Sequence, residues 1–435
     1  RIPQERLQVP AVFDEEVRDF NYIMATQQTG ARYRFDNSTT ILIEAAREIL
    51  AMGSNTMKFT LNPKGYWDVI GANTTMYPRI QFNDTLVDIA TSYMFPEVFS
   101  MPFSNYLMWV YTPSNQPING FQPFALPNAS SLLQAEFKNM YDLTRHLLRT
   151  YQGTGKTFFL GHWEGDWHLL KSGVMPLELR APLGTQGMVA WMQARQDGVD
   201  AAKRDVLREV PGLRGVEVYN YMEANMVNAA LTNASAPCIV NSVLPYIRGL
   251  DFVSFSSYDS QGQGPGLDFQ SMTASMDLLA SRLQPKTLTN LLNPGQPPPF
   301  IKRVFIGEFG WATAGGTIHS EESVGVRVGE MTAFAASWGA PFSLFWQMYN
   351  NEVNKLGERG FWLIDTNRQK KPAYWMHARF LAAAKQWVGQ YKAVNGRLPS
   401  PREYAVMVPQ FLAMARNPTD PLSDLTTSAQ PQTGV

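Results

Sequence analysis

Val304–Ala312 reads VFIGEFGWA: a short apolar run that ends in Glu308, bracketed by Gly307 and Gly310. An unpaired carboxylate at the end of a buried strand costs several kcal/mol, so such a residue is either functional or ion-paired. The fold follows from asking how often this kind of run recurs. Eight runs of β-branched and aromatic residues appear in order: Phe20–Ala25, Thr56–Leu61, Tyr106–Tyr111, Thr157–Gly161, Val216–Tyr221, Phe252–Ser256, Val304–Gly307 and Phe342–Trp346. Between them lie Ser38–Met52, Asp84–Phe99, Ser131–Tyr151, Gly187–Val210 and Ser320–Trp338, whose apolar residues fall three and four apart as in amphipathic helices. The first of these segments has cap candidates at Asn37 and Ser38 and a stop at Gly53.

Eight strands alternating with helices predict an α/β fold, a (β/α)8 TIM barrel. Residues 1–395 are assigned to one catalytic domain, with a helix from Ala373 to about Tyr391. Residues 396–435 are read as a C-terminal extension, loose after Pro399 and flexible past Asn417. Long connections at Asn62–Asn83, Thr112–Asn128, His168–Thr185 and Asp259–Asp268 follow strands and are expected to wall a cleft at the carboxyl end of the barrel. Leu292–Phe300 precedes a strand and belongs on the opposite face.

Composition narrows the partners. Lys plus Arg and Asp plus Glu both number 37, so no net field favours nucleic acid or an anionic membrane, and no run of 18 apolar residues predicts a spanning helix. A single cysteine, Cys238, rules out an intrachain disulfide and a cysteine-based zinc site. The five histidines are scattered without HExxH spacing, which argues against a metal centre; GxSxG and P-loop patterns are absent, and no cofactor is expected. Sequons at Asn37, Asn73, Asn83, Asn128 and Asn233 favour a secreted, extracellular glycoprotein whose leader has been removed. Oligomeric state is not legible in the sequence.

VFIGEFGWA resembles the seventh-strand nucleophile signature of the clan A glycoside hydrolases, the retaining (β/α)8 group that includes many cellulases and mannanases. LDFVSFSSYDS (Leu250–Ser260) resembles the clan's sixth strand, which often ends in an aromatic hydroxyl, here Tyr258. SLFWQMYN (Ser343–Asn350) resembles the eighth strand with its platform tryptophan, here Trp346. GFWLIDTNRQKKPAYW (Gly360–Trp375) resembles the segment leading into the last helix. The match covers roughly residues 153–380.

The resemblance implies a neutral oligo- or polysaccharide substrate, Glu308 as nucleophile, and an acid/base glutamate after strand four. FFLGHWEGDWHLL (Phe158–Leu170) supplies Glu164 there, but the clan usually has Asn immediately before this residue and the chain has Trp163. Glu223, in EVYNYMEANMV (Glu217–Val227), is the rival, with a helix-capping carboxylate at the start of a helix Glu223–Leu231 as its structural alternative. Position favours Glu164. Tyr258 is expected to hold Glu308 ionised. Trp163, Asp166, Trp167, Asn220, Trp311 and Trp346 are candidates for sugar contacts, Asn220 in place of the missing Asn and Asp166 alternatively as a turn cap. The competing function is a noncatalytic carbohydrate-binding barrel.

Overall fold

The computed structural model describes residues 14–62, 84–117, 120–169, 171, 177–316 and 319–416. Eight parallel strands close into a barrel in chain order: β1 (Met24–Gln28), β2 (Thr56–Thr60), β3 (Asn105–Trp109), β4 (Lys156–Gly161), β5 (Val216–Ala224), β6 (Phe252–Ser256), β7 (Val304–Phe309) and β8 (Ser343–Phe345). Closure is made by β1 on β8, with Met24 opposite Ser343 and Thr26 opposite Phe345. This is the expected (β/α)8 barrel.

Helix α1 (Glu15–Asp19) precedes β1, and α2 (Ile41–Met52) connects β1 to β2. Next come α3 (Leu86–Ala90) and α4 (Phe95–Ser100) before β3, α5 (Ser130–Thr150) before β4, and α6 (Gly165–Leu169) and α7 (Leu177–Glu209) before β5. Then α8 (Val227–Thr232) and α9 (Ile239–Ser242) precede β6, α10 (Phe269–Arg282) precedes β7, α11 (Glu321–Trp338) precedes β8, and α12 (Pro372–Asn395) and α13 (Pro401–Arg416) close the chain. A small hairpin, β9 (Val353–Asn354) with β10 (Gly357–Glu358), follows β8.

Some local expectations change. The cap of α2 is Thr40, which accepts from the Ile43 N–H, rather than Asn37 or Ser38; Gly53 ends the helix in the left-handed conformation, as expected. The segment Asp84–Phe99 is two helices, because Pro96 can enter only a first turn and Tyr93 sits at φ 60° just ahead of it. Helix α7 begins at Leu177 rather than Gly187, carrying Pro182 near its start. The region after Pro399 is not loose throughout: α13 buries Tyr404, Val408, Phe411 and Leu412 against α11 and α12. Residues 417–435 lie outside the described residues, as do Asn73, Asn83 and most of the connection Asn62–Asn83.

Two shells of apolar side chains follow from the period of two along each strand. Outward residues such as Met57, Phe59, Met108, Val218, Val253 and Ile306 pack against the helices. Inward ones, among them Leu107, Phe159, Tyr219, Tyr221, Phe252, Phe305 and Phe342, fill the barrel. Phe300, from the Pro-rich stretch placed on the amino-terminal side, packs edge-on against Phe159, Tyr219 and Phe252 and closes the barrel floor. Above Tyr221 the interior becomes polar, and there the site begins.

Candidate active site

Alternation along β2 puts Lys58 inside the barrel between the outward Met57 and Phe59. It is completely buried, and its ammonium donates to Glu223 Oε2 at 2.7 Å, to the Gly307 carbonyl at 2.9 Å and to Glu308 Oε1 at 3.2 Å. The indole of Trp109 lies beneath it, 4.4 Å from ring centre to nitrogen. Alternation along β5 likewise puts Glu223 inside, where it also accepts from Ser254 Oγ at 2.7 Å and from the Glu164 N–H at 3.1 Å. Glu223 is therefore a strand residue, not a cap at the start of a helix.

Glu308 would point outward by simple alternation, since Phe305 is inward and Ile306 outward. A register shift inverts this: Phe255 pairs with Ile306, but Ser256 pairs with Glu308, so Gly307 is the extra residue of a bulge. Only glycine fits there, because a Cβ would come within 1.7 Å of Ser254 Oγ. Of the two glycines that bracket the carboxylate, Gly307 thus re-aims it into the cleft, and Gly310 donates its N–H to Gln261 beyond it.

Glu164 stands on the loop after β4. Its Oε1 accepts from Ser256 Oγ at 2.5 Å and its Oε2 from Trp167 Nε1 at 2.5 Å. Ser256 thereby links the two carboxylates, being the ladder partner of Glu308 and the hydrogen-bond partner of Glu164. Behind them His162 accepts the Glu223 N–H at Nε2 and faces the Trp163 carbonyl with Nδ1, which fixes it as the neutral Nδ1–H tautomer. Burial pushes its pKa down to about 3, in keeping with that role.

A cavity of about 1220 Å³ opens above this cluster. Glu164, Glu308, Tyr258, Trp163, Trp167, Trp311 and Trp346 all line it, together with Trp109, Ser256 and Phe361. Glu223 does not. Three carboxyl groups crowd together here around one ammonium that bonds only Glu223 and Glu308, and the electrostatics reflect it. Burial pushes Glu164 up to about 7, with the charge of Glu223 adding to the shift and the hydrogen bonds of Ser256 and Trp167 opposing it. Burial also pushes Glu308 up, helped by Glu223 and Glu164; Lys58, in direct contact, opposes this more strongly than it does at Glu164. Of the two carboxyl groups that face the cavity only Glu308 bonds the ammonium, and protonation of Glu164 removes one of the charges acting on it.

No protein-family model matches the chain, and no curated protein matches it in sequence. Solved structures are similar in shape. They include a family 39 glycoside hydrolase from Bacteroides cellulosilyticus WH2, at 12% identity over 83% of this chain and 64% of that one, with a TM-score of 0.48. A Bacteroidetes-affiliated GH5 cellulase is 13% identical over 97% and 99% of the two chains, at 0.44. An exo-β-1,4-mannosidase from an Opitutaceae bacterium is 11% identical over 83% and 59%, at 0.47. The chain spans less than two thirds of the first and third of these. Likeness at this level concerns the barrel, and the reading of the site rests on its own residues.

Two sequence candidates lie elsewhere. Asp166 is buried away from the cavity, its carboxylate accepting from the N–H groups of Asn225, Met226 and Ile239, so it anchors α6 to the end of β5 and caps α9. Asn220 faces α7, bonding Gln196, as its position one residue from the inward Tyr221 dictates. Trp311 touches the cavity but is almost wholly buried, its indole N–H on the Gly262 carbonyl. Tyr258 lines the cavity, whereas the hydrogen bond to Glu308 comes from Lys58. Lys58, Ser256 and Trp109 were missed. A lysine in the middle of the apolar run TMKFT is the same signal that marked Glu308, and it could have found the first of them. Among the described residues no group of three or more His, Cys, Asp or Glu side chains is placed to hold a metal.

Proposed function

We propose that this chain is a glycoside hydrolase acting by double displacement on a neutral oligo- or polysaccharide, with Glu308 as nucleophile and Glu164 as acid/base. The observation that carries this reading is that two buried carboxylates from β7 and the end of β4 face one aromatic-lined cavity, one bonded to an ammonium and the other only to neutral donors. Lys58 favours the ionised form of Glu308 that attack requires. Glu164, without a bonded cation, holds the proton that the leaving oxygen requires.

In the first step a carboxylate oxygen of Glu308 bonds to the anomeric carbon as the glycosidic C–O bond breaks, and the proton of Glu164 passes to the departing oxygen. In the second, water loses a proton to Glu164 and bonds to the anomeric carbon, while the bond to Glu308 breaks. Trp109, Trp163 and Trp346, with Phe361, offer apolar faces to the C–H faces of sugar rings. Glu223 lies outside the cavity and serves in this reading to hold Lys58 in place.

The test is a product screen on diverse neutral polysaccharides and aryl glycosides, with Glu308→Gln as control. Turnover in the parent chain and its loss in Glu308→Gln supports the reading. Binding without turnover in both supports the noncatalytic carbohydrate-binding barrel instead. Asn37, Asn128 and Asn233 are all exposed, as glycan acceptors of an extracellular protein must be. A mass shift on enzymatic deglycosylation of the chain from its native source checks that assignment.

A further inference from the structure

Trp167 is half exposed, at 51%, yet its indole nitrogen is tied to Glu164 Oε2. An indole N–H only donates, so the oxygen it binds must remain an acceptor whatever the protonation state of the carboxyl. Ser256, on the other oxygen, is a hydroxyl that can donate or accept. A carbonyl oxygen accepts more strongly than a hydroxyl oxygen, so when Glu164 is protonated the proton is favoured on Oε1, the oxygen bonded to Ser256 on β6, the strand that pairs with the one carrying Glu308. Asp166, through its three backbone bonds, holds the short helix that presents Trp167.

We infer that Trp167 is a positioning residue for the acid step, its N–H fixing the proton of Glu164 on Oε1 while its open face receives the ring of the departing sugar. This rests on the reading of Glu164 as acid/base. The groups facing Glu164 are Glu223 on β5, Glu308 on β7, Lys58 on β2 and Tyr258 after β6, together with the two neutral donors. Of these, only Trp167 and Ser256 contact its carboxyl oxygens, and only Trp167 cannot exchange donor for acceptor.

The experiment uses the whole chain, its Trp167→Phe and Trp167→Ala variants, and aryl glycosides of graded leaving-group acidity. Trp167→Phe keeps a ring at an exposed position and deletes the donor. Expected are an upward move of the alkaline limb of kcat/KM by about 0.5–1 pH unit, and the same shift in a carbon-13 titration of the Glu164 carboxyl. A roughly two- to tenfold loss of kcat should be confined to poor leaving groups. Trp167→Ala adds a rise in KM for saccharide leaving groups that Trp167→Phe does not show. If limb, titration and leaving-group dependence are all unchanged in Trp167→Phe, the positioning role is overturned while the assignment of Glu164 stands. If Glu164→Ala itself keeps the parent's leaving-group dependence, the assignment of Glu164 fails, and the role of Trp167 with it.

Discussion

Buried charge is handled differently in two regions of this barrel. In the layer between strands and helices, two buried pairs are matched one acid to one base: Arg195 with Glu136 at 2.6 Å and Lys203 with Glu217 at 2.7 Å. Inside the barrel mouth a single lysine serves Glu223 and Glu308, and Glu164 stands beside them with none. Matched pairs leave no reason for a carboxyl to hold a proton at neutral pH. An acid surplus in a desolvated pocket does, and a proton held there is available for transfer. A surplus of carboxyl groups facing the cavity, rather than buried charge alone, separates the site from the scaffold, where the buried Asp166 is satisfied by three backbone N–H groups.

The largest effect expected from that contrast is at Glu308. Glu308→Ala should lower kcat by roughly 10⁴-fold or more while thermal unfolding stays cooperative, as activity assays and circular dichroism would show. Retained activity in this variant would end the assignment. Next come the two remaining glutamates. Glu164→Ala should lose about 10²- to 10⁴-fold on poor leaving groups, keep activity on good ones and regain deglycosylation with azide. Glu223→Ala should show neither behaviour, since that carboxylate does not reach the cavity; azide rescue in Glu223→Ala alone would transfer the acid role to it.

In the matched layer the outcome reverses. Glu136→Gln leaves Arg195 buried without its partner and should cost about 3–5 kcal/mol of stability in denaturant melts, with kcat per folded molecule unchanged. A catalytic defect without destabilisation would break the comparison.

The smallest effect is in pH dependence. Glu164 titrates near 7 in the folded chain, so kcat/KM should fall as pH rises through about 7. The same raised value means that the folded state holds a proton the unfolded state has released between the ordinary glutamate value, about 4.5, and about 7. The stability due to that proton is complete below this window and lost across it as pH rises. Glu164→Gln should remove this slope from a series of melts at stepped pH.

The eight strands were legible because their outward residues must be apolar to meet the helices, and those residues alternate with aromatic ones that fill the barrel. Errors gathered where polar residues are buried. β1 runs on through Thr26, Gln27 and Gln28, and Gln27 and Gln28 donate to backbone carbonyls of β7, β8 and the loops beyond β1 and β8. β5 continues past Tyr221 through Glu223 to Ala224 for the same reason: the carboxylate has its partner far away in the chain. Lys58 is marked only by its place in an apolar run, because its carboxylate partners lie 165 and 250 residues away. Asn220 was the avoidable error, since period two with Tyr221 inward already turned it to the helices. Helix α13 was hidden by the prolines at its start and middle, yet Pro401 occupies the first turn, where no N–H is needed, and the apolar face beyond it is buried.

The pairing of β1 with β8 has a further consequence for how the molecule is made. The first strand has no permanent neighbour on one side until Phe345 has been synthesised, and Tyr404 on α13 then reaches back across 382 residues to the carbonyl of Tyr22. A ribosome-bound chain stopped before that point exposes two open sheet edges, each a template for pairing with another chain. A chain arrested there therefore needs those edges shielded, and closure of the barrel waits on a long-range seam that joins β1 to β8.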